Sequence, residues 1–213
     1  MEKVMEILQE LRGIIKQGNR VKAKELAQKA IDEGLDPDAI IKMGLIPGIN
    51  EIGELFGRDE VFLPEVLMSA RAMKEAMELI LPVLSACSFE YIAKIAIGTV
   101  KGDIHDIGKN IAAAVFTGSG FEVTDLGIDV SAEKFVEAVK EGAQVVGMSA
   151  LIGPTMSNMK LSIDAIEKAG LRSKVKIIVG GPLVTQNYAD KIGADAYAED
   201  AFSGVNKIKK LLS

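Results

Sequence analysis

The only histidine of the 213-residue chain, His105, lies between two aspartates, Asp103 and Asp106. The three residues follow a short apolar run, Ile95-Ala96-Ile97, and precede a helical pattern that begins at Ile107. An imidazole beside a carboxylate is the usual arrangement of a metal ligand whose second ring nitrogen is oriented by a hydrogen bond. One imidazole does not retain a free transition-metal ion, but it suffices when the metal arrives inside a macrocycle. The residues themselves leave haem and corrinoid open.

A phosphate-binding loop is the competing interpretation of this segment, because Gly102 and Gly108 are followed by Lys109 at a helix start. The spacing argues against it, since five residues separate the two glycines and the phosphate loop has four. Asn110 also stands in place of the Ser or Thr that would bind magnesium. The neighbouring aspartates would repel phosphate, so we expect no nucleotide site here.

The first 86 residues have the apolar spacing of helices. Four segments are separated by turn and cap signals at Gly18-Asn19, at Gly34, at Asp36-Pro37 and at Leu63-Pro64. The pattern predicts an N-terminal all-α four-helix bundle.

From Tyr91 onward, short apolar runs alternate with helical patterns. The predicted strands are 95–97, 122–124, 145–148, 175–179 and 195–197, and the predicted helices are 107–117, 132–141, 156–169, 186–192 and 201–212. Five strands that alternate with five helices predict a five-stranded parallel sheet of the Rossmann-like, flavodoxin-like kind. We therefore expect two domains, 1–90 and 91–213, joined by a linker over 85–92.

Composition limits the possible partners and compartments. A net charge of −5 without a concentrated basic face disfavours nucleic acid as a partner. The single cysteine, Cys87, excludes a disulfide framework and is expected to be a small buried hydrophobe of a reduced, cytoplasmic protein. We expect no signal peptide, no membrane span and no membrane partner.

In a doubly wound sheet, ligands bind beyond the carboxyl ends of the strands, where the strand order reverses. Three segments follow predicted strands there, namely 102–110, 149–155 and 180–182. The first and third strands are neighbours in the flavodoxin-like order. His105 and Ser149 are therefore expected to lie close together.

The motifs in these segments resemble a known family. Asp103-x-His105-x-x-Gly108, then Ser149-x-Leu151, then Gly180-Gly181 closely resembles the cobalamin-binding signature of methionine synthase and of corrinoid methyltransferase proteins. In the helical half, Phe56, Leu63-Pro64-Glu65 and Ser69-Ala70-Arg71 look like that family's cap domain.

The resemblance implies a role for each matching residue. His105 would bind the cobalt of cobalamin or a related corrinoid from below and displace the cofactor's own base, the base-off/His-on form. Asp103 would accept a hydrogen bond from the other ring nitrogen, and Ser149 would bond to Asp103; a helix cap is the alternative role of Asp103. Phe56 and Leu63 would cover the upper face of the cofactor, with plain bundle core as the alternative. The other implied cofactor contacts are Gly102, Ile104, Asp106, Ile107, Gly108, Leu151, Gly153, Thr155, Gly180, Gly181 and Ala198. Gly153 departs from the pattern, because relatives often carry a hydroxyl residue there.

The implied function is that of a free-standing corrinoid methyl carrier cycling between cobalt(I) and methyl-cobalt(III). Its implied partners are a substrate-specific methyltransferase, an acceptor methyltransferase that passes the methyl group to tetrahydrofolate or coenzyme M, and a reductive activator. The chain would be a non-catalytic or co-catalytic subunit of an O-demethylase or methylamine system, with methoxyaromatic compounds, methylamines, betaines and methanol as candidate donors. The alternatives are a cobalamin-binding sensor or regulatory module and the small subunit of a carbon-skeleton mutase.

Overall fold

The computed structural model describes residues 2–84 and 91–213 of the chain. It contains two compact units, one formed by Met1–Tyr91 with Thr117–Gly120 and the other by Ile92–Phe116 with Phe121–Ser213. Cys87 and most of the predicted linker lie outside the described residues. The domain boundary predicted between residues 90 and 91 adjoins that segment and stays a prediction.

The helical unit confirms the predicted helices and adds one irregularity. Its segments are α1 (Glu2–Lys16), α2 (Arg20–Asp32), α3 (Pro37–Ala39), a π-helical stretch (Ile40–Leu45), α4 (Ile46–Phe56) and α5 (Leu63–Leu84). The π-helical stretch directly precedes Pro47, which has no N–H to donate to the carbonyl four residues back. At the end of this stretch the Ile46 N–H donates to the carbonyl of Ile41, five residues back, as in a π-helix.

The apolar stripe predicted for the first helix is the core of this unit. Its members are all buried, namely Ile7, Leu8, Leu11, Ile14 and Ile15. They pack α1 against the π-helical stretch and α4, while α2 packs against α5. Burying each such side chain contributes about 1.5–3 kcal/mol. The stripe therefore accounts for most of the stability that α1 adds.

The second unit is a parallel sheet with helices on both faces. Its elements are β1 (Lys94–Val100), α6 (Ile107–Gly118), β2 (Glu122–Val130), α7 (Ala132–Lys140), β3 (Val145–Ser149), α8 (Gly153–Lys168), a 3₁₀ turn (Arg172–Lys174), β4 (Lys176–Gly180), α9 (Gln186–Ile192), β5 (Ala196–Ala198) and α10 (Ala201–Leu212). The strand order is β2-β1-β3-β4-β5. This is the predicted flavodoxin-like order, with the switch point between β1 and β3.

The register of the sheet aligns the strand ends that the sequence singled out. Thr99 pairs with Ser149, Ser149 with Gly180, and Gly180 with Ala198. These four residues therefore form one row across β1, β3, β4 and β5, at the carboxyl edge. The loops after β1 and β3 leave the sheet at this edge, beside the switch point.

β2 is an edge strand and is longer than the predicted 122–124. Its pairing with β1 is interrupted twice, between Ile97 and Gly98 and again between Gly98 and Val100. The extra residues of β2 fall at Leu126 and just before Val130. Bulges of this kind bend a strand and re-aim its side chains. They also break the apolar alternation, which explains why the sequence pattern did not predict the full strand.

Two apolar layers cover the central strands. One layer includes Phe135 from α7, Met159 from α8 and Ile192 from α9; the other includes Phe116 from α6 and Ile208 from α10. Within the two described ranges, no helix is both long enough and apolar enough to cross a membrane.

Candidate functional site

The centre of the site is Asp103, which is completely buried in the loop after β1. Its Oδ1 accepts hydrogen bonds from the backbone N–H of His105 at 3.0 Å and lies 2.7 Å from His105 Nδ1. Its Oδ2 accepts from the Leu151 N–H and from the Thr155 hydroxyl, both at 2.8 Å. The carboxylate therefore ties the loop after β1 to the loop that leads into α8.

The protonation state of this pair follows from the surroundings of Asp103. Burial alone would raise its pKa, but the amides of His105 and Leu151, the Thr155 hydroxyl and the His105 ring together hold the pKa of this carboxyl well below its ordinary value. Asp103 is therefore ionised at neutral pH and is an acceptor only. It follows that Nδ1 of His105 carries a hydrogen and donates it, so in the neutral imidazole the lone pair is on Nε2.

His105 presents this free nitrogen from a constrained position. Its side chain is 46% exposed, and its backbone carbonyl accepts a hydrogen bond from the Thr99 hydroxyl at 2.9 Å. Thr99 is fully buried near the end of β1, where it pairs with Ser149 of β3. Asp103 thus fixes the ring through Nδ1, and Thr99 fixes the backbone through the His105 carbonyl. Nε2 is available to bind a metal ion.

Two expectations about this cluster are corrected by the structure. Within the described residues, Ser149 forms no hydrogen bond with Asp103, because the Leu151 amide and Thr155 hydroxyl occupy Oδ2. Asp103 is also not a cap of the following helix, because its Oδ1 accepts from the His105 N–H, which lies before α6, and its Oδ2 accepts from the Leu151 N–H, which lies before α8. Ser149 remains half-buried at the end of β3, paired with Thr99 and Gly180.

Apolar side chains are exposed in the segments that follow β1, β3 and β4 at the carboxyl edge, and near the end of β2. Ile104 and Ile107 flank His105, and each is 70% exposed. Leu151 is also exposed, as predicted for a contact residue, and the sequence analysis missed three further members of this set: Ile128, Ile152 and Leu183. Exposed apolar side chains that recur on adjacent loops indicate a surface for an apolar ligand. The exposure of Asp106, by contrast, keeps its carboxylate in water.

The predicted glycines fall into two groups. An added Cβ would meet nothing within 4 Å at Gly108 and Gly153, so both positions border open space. Gly181 has φ +141°, and a Cβ there would lie 1.9 Å from the carbonyl oxygen of Ala150. Only glycine fits this approach of the loop after β4 to the end of β3.

Four other predicted contact residues have identified neighbours, namely Gly180, Ala198, Gly102 and Thr155. A Cβ at Gly180 would lie 3.0 Å from the carbonyl oxygen of Ala198, so these two positions are in close backbone contact. Gly102 has φ +79° and makes the turn out of β1. Thr155 is buried, and its hydroxyl lies 2.8 Å from both Asp103 Oδ2 and the Ile152 carbonyl oxygen. Its contact with a cofactor stays a prediction.

Polar side chains from β2 support the loop, and the sequence analysis did not identify them. Asp129 Oδ1 accepts from the Gly102 N–H at 2.7 Å, and its Oδ2 lies 2.9 Å from Lys101 Nζ. The Gly102 amide and Lys101 hold the pKa of Asp129 below its ordinary value. Asp129 itself has φ +53°, a left-handed conformation that Asp tolerates better than most residues. The signal in the sequence was the pair of aspartates around Gly127, which breaks the strand pattern.

The predicted covering residues lie in the helical unit. Phe56 ends α4 and is half-buried, and Leu63 begins α5 and is 45% exposed. The adjacent Phe62, which the sequence analysis did not single out, is 70% exposed. Their role above a cofactor stays a prediction.

Across the part of the chain that the structure describes, no group of three or more His, Cys, Asp or Glu side chains is arranged to hold a metal ion. The donor set at the site is one imidazole, which fits a metal that brings its own equatorial ligands.

Comparison with known proteins decides between the two macrocycles. A family model described as B12 binding domain matches residues 93–206, and a second model of the same description matches residues 7–81. The first match spans β1 to most of α10 and includes Asp103 and His105. The chain belongs to the B12-binding domain family.

Relatives of this B12-binding chain match nearly its whole length. A corrinoid protein of Desulfitobacterium hafniense (strain Y51) is 43% identical over 98% of this chain and 99% of the relative. The trimethylamine corrinoid protein of Methanosarcina barkeri is 45% identical over 90% of this chain and 89% of the relative. The solved methanol:cobalamin methyltransferase complex of Methanosarcina barkeri matches with a TM-score of 0.85 at 30% identity, covering 97% of this chain and 80% of that one.

Proposed function

We propose that this chain is a corrinoid methyl carrier in which Nε2 of His105 binds the cobalt of a base-off corrinoid. The observation that carries the proposal is the Asp103–His105 pair, at 2.7 Å, with the carboxylate buried and the ring half-exposed. A buried acceptor on Nδ1 fixes the ring and raises the basicity of the other nitrogen. Asp103, His105 and, at the end of the neighbouring strand, Ser149 are the proposed functional residues.

The surroundings of His105 fit a corrin ring. Exposed Ile104, Ile107 and Leu151 offer apolar contact on loops beside the imidazole. Gly108 and Gly153 leave space that a side chain would occupy. A lone imidazole completes the coordination of a cobalt ion whose other ligands come from the macrocycle.

A bound corrinoid would supply a cobalt(I) nucleophile that takes a methyl group from a donor, releases the demethylated donor, and is regenerated when the methyl group passes to an acceptor. The contribution of the chain is to hold and orient. Asp103 keeps the hydrogen of the neutral imidazole on Nδ1, so the lone pair that would bind the metal is on Nε2. Leu151 and Thr155 keep Asp103 in place, and Thr99 fixes the His105 carbonyl.

We propose methylamines as the methyl donors, since the trimethylamine corrinoid protein is 45% identical to this chain. The proposed partners are a methylamine-specific methyltransferase, a second methyltransferase that serves tetrahydrofolate or coenzyme M, and a reductive activator of the corrinoid. Phe56 and Leu63, from the proposed cap domain of residues 1–90, would cover the cofactor. A cytoplasmic location is the corresponding prediction.

The ligand assignment is tested with His105→Ala. After reconstitution with cobalamin and reduction to cobalt(II), electron paramagnetic resonance of protein labelled with nitrogen-15 histidine reports the imidazole ligand by a two-line hyperfine splitting, which differs from the three-line splitting given by the cofactor's own base. We expect the splitting in the wild type and in the control Glu167→Gln, whose side chain is exposed near the end of α8, and its loss in His105→Ala. A spectrum that is unchanged in His105→Ala refutes the assignment.

The carrier function is tested by methyl transfer. The reduced, reconstituted protein is incubated with isotopically labelled trimethylamine, dimethylamine, monomethylamine or methanol and the matching methyltransferase of a related organism. Label is expected on the corrinoid with a methylamine. Label from methanol alone would contradict the methylamine assignment. Absence of label from every donor would refute the carrier function and favour a cobalamin sensor.

A further inference from the structure

A lysine beside the site is buried, and the proposed function does not use it. Lys109, in the first turn of α6, has a side chain that is only 2% exposed. Its ammonium group donates to Asp125 Oδ1 at 2.7 Å, to Asp125 Oδ2 at 2.6 Å and to Asn110 Oδ1 at 2.7 Å. All three hydrogens are thus engaged, as the cost of burying a cation requires.

The partner carboxylate comes from the first bulge of the edge strand. Asp125 directly precedes Leu126, the extra residue of β2, and its Oδ1 also accepts the N–H of Gly127 at 2.9 Å. Gly127 has φ +87°. In a regular strand the side chains would continue to alternate between the two faces of the sheet. The bulge instead directs the Asp125 side chain toward Lys109 of α6.

The polar contacts continue from Lys109 to the residue next to His105. Asn110 Nδ2 donates to Asp106 Oδ2 at 3.0 Å, and the Asn110 N–H donates to the Asp106 carbonyl at 2.7 Å. Asp106 is covalently joined to His105. An unbroken series of contacts thus runs from β2 through Asp125, Lys109, Asn110 and Asp106 to the histidine.

We infer that the Lys109–Asp125 ion pair is a positioning device that sets the place of His105 Nε2 relative to the sheet edge. The inference rests on the proposed function, in which Nε2 binds cobalt. Asp103 fixes the direction of the ring, but the loop between β1 and α6 has no regular structure of its own. Anchoring the first turn of α6 to β2 fixes the distal end of that loop, as Asp129 fixes its beginning at Gly102.

The test uses Lys109→Met and Asp125→Asn in the full chain. Methionine keeps the unbranched shape and most of the length of the lysine and removes the buried charge, and Asp125, 45% exposed, remains hydrated. The matched control is Arg172→Met, which removes the half-buried ion pair with Asp195 at 2.8 Å. That pair lies at the opposite edge, because Asp195 also accepts from the N–H of Ile177 near the start of β4.

Three quantities are measured: the unfolding temperature without cofactor, the affinity for cobalamin, and the nitrogen hyperfine splitting of the cobalt(II) form. We expect Lys109→Met and Asp125→Asn to weaken cobalamin binding about tenfold, the lower end of the range for groups that orient a metal ligand, and to reduce the imidazole-ligated fraction. Arg172→Met should keep the wild-type affinity and splitting even where its unfolding temperature falls.

Lys109→Met with wild-type affinity and full splitting would overturn the inference. So would an Arg172→Met that loses affinity and splitting to the same extent, because the effect would then follow stability alone. His105→Ala separates this failure from failure of the proposed function. If the wild type shows splitting that His105→Ala lacks, the ligand assignment stands whatever Lys109→Met shows.

Discussion

Replacing Asp103 with asparagine tests whether a buried charge holds the two loops together. The substitution keeps the shape and exchanges one carboxylate oxygen for an NH₂ group. The amide oxygen would take the place of Oδ1, where it still accepts from the backbone and ring N–H groups of His105. The NH₂ group would then face the Leu151 N–H and the Thr155 hydroxyl.

The two facing groups respond differently. Thr155 can turn its hydroxyl hydrogen to the Ile152 carbonyl, 2.8 Å away, and accept from the new amide. Leu151 cannot turn, so one buried donor is left facing another donor, which costs about 1–3 kcal/mol. The remaining bonds also change from charge-assisted to neutral ones. We therefore expect the free energy of unfolding of the sheet unit to fall by about 2–4 kcal/mol at pH 7.

The pH dependence gives this prediction a second criterion. Because the pKa of Asp103 is lower in the folded chain than in the unfolded one, its stabilising effect is complete above the unfolded value of about 3.9 and is lost as pH falls toward the folded value. The difference in free energy of unfolding between wild type and Asp103→Asn should therefore be constant near neutral pH and become smaller below about pH 4.

The assay is urea unfolding of the cofactor-free protein followed by circular dichroism, with the transitions of the two units fitted separately. Glu167→Gln is the control, since its side chain is exposed near the end of α8 and should change stability by no more than about 0.5 kcal/mol. Two results would refute the role given to the buried Asp103 charge. One is an equal loss in free energy of unfolding for Asp103→Asn and the control, and the other is a difference between wild type and Asp103→Asn that stays the same in acid.

The other predictions concern backbone positions. Gly181→Ala should lower the free energy of unfolding by at least about 2 kcal/mol, because its Cβ would lie 1.9 Å from the Ala150 carbonyl oxygen. Gly153→Ala, whose Cβ would meet nothing within 4 Å, should leave the free energy of unfolding nearly unchanged in the same urea titration. A larger loss for Gly153→Ala than for Gly181→Ala would contradict the packing of this edge. Asp129→Ala should speed hydrogen exchange of the Gly102 amide several-fold, because that N–H loses its acceptor at 2.7 Å. Exchange is measured by nuclear magnetic resonance, and an unchanged rate would show that Asp129 does not hold the loop.

The fold was predictable because its elements follow simple periods. Helices α9 and α10 have the predicted ends, Gln186–Ile192 and Ala201–Leu212. Helix α8 begins earlier than predicted, at Gly153, because Pro154 in its first turn favours the start of a helix. β2 was predicted short because its bulges place Asp125 and Asp129 where alternation would require other residues.

The site was predictable only where side chains carry the chemistry. His105 and Asp103 are distinctive residue types, and the strand order places them at the edge of the sheet. The partner of Asp103 Oδ2 was wrongly predicted as Ser149, because one of the true donors is the backbone N–H of Leu151. Backbone donors have no residue type to recognise, and the Lys109–Asp125 pair depends on a bulge that residue spacing does not encode.

The partners of Asp103 have a consequence for synthesis. The groups that hold Oδ2 come 48 and 52 residues later in the chain. A nascent chain that has emerged only as far as β2 already contains the histidine, but its carboxylate lacks the donors from Leu151 and Thr155. The ring orientation is completed only after β3 has paired with β1 and α8 has begun. On the proposed function, we therefore expect cofactor loading to follow completion of the sheet.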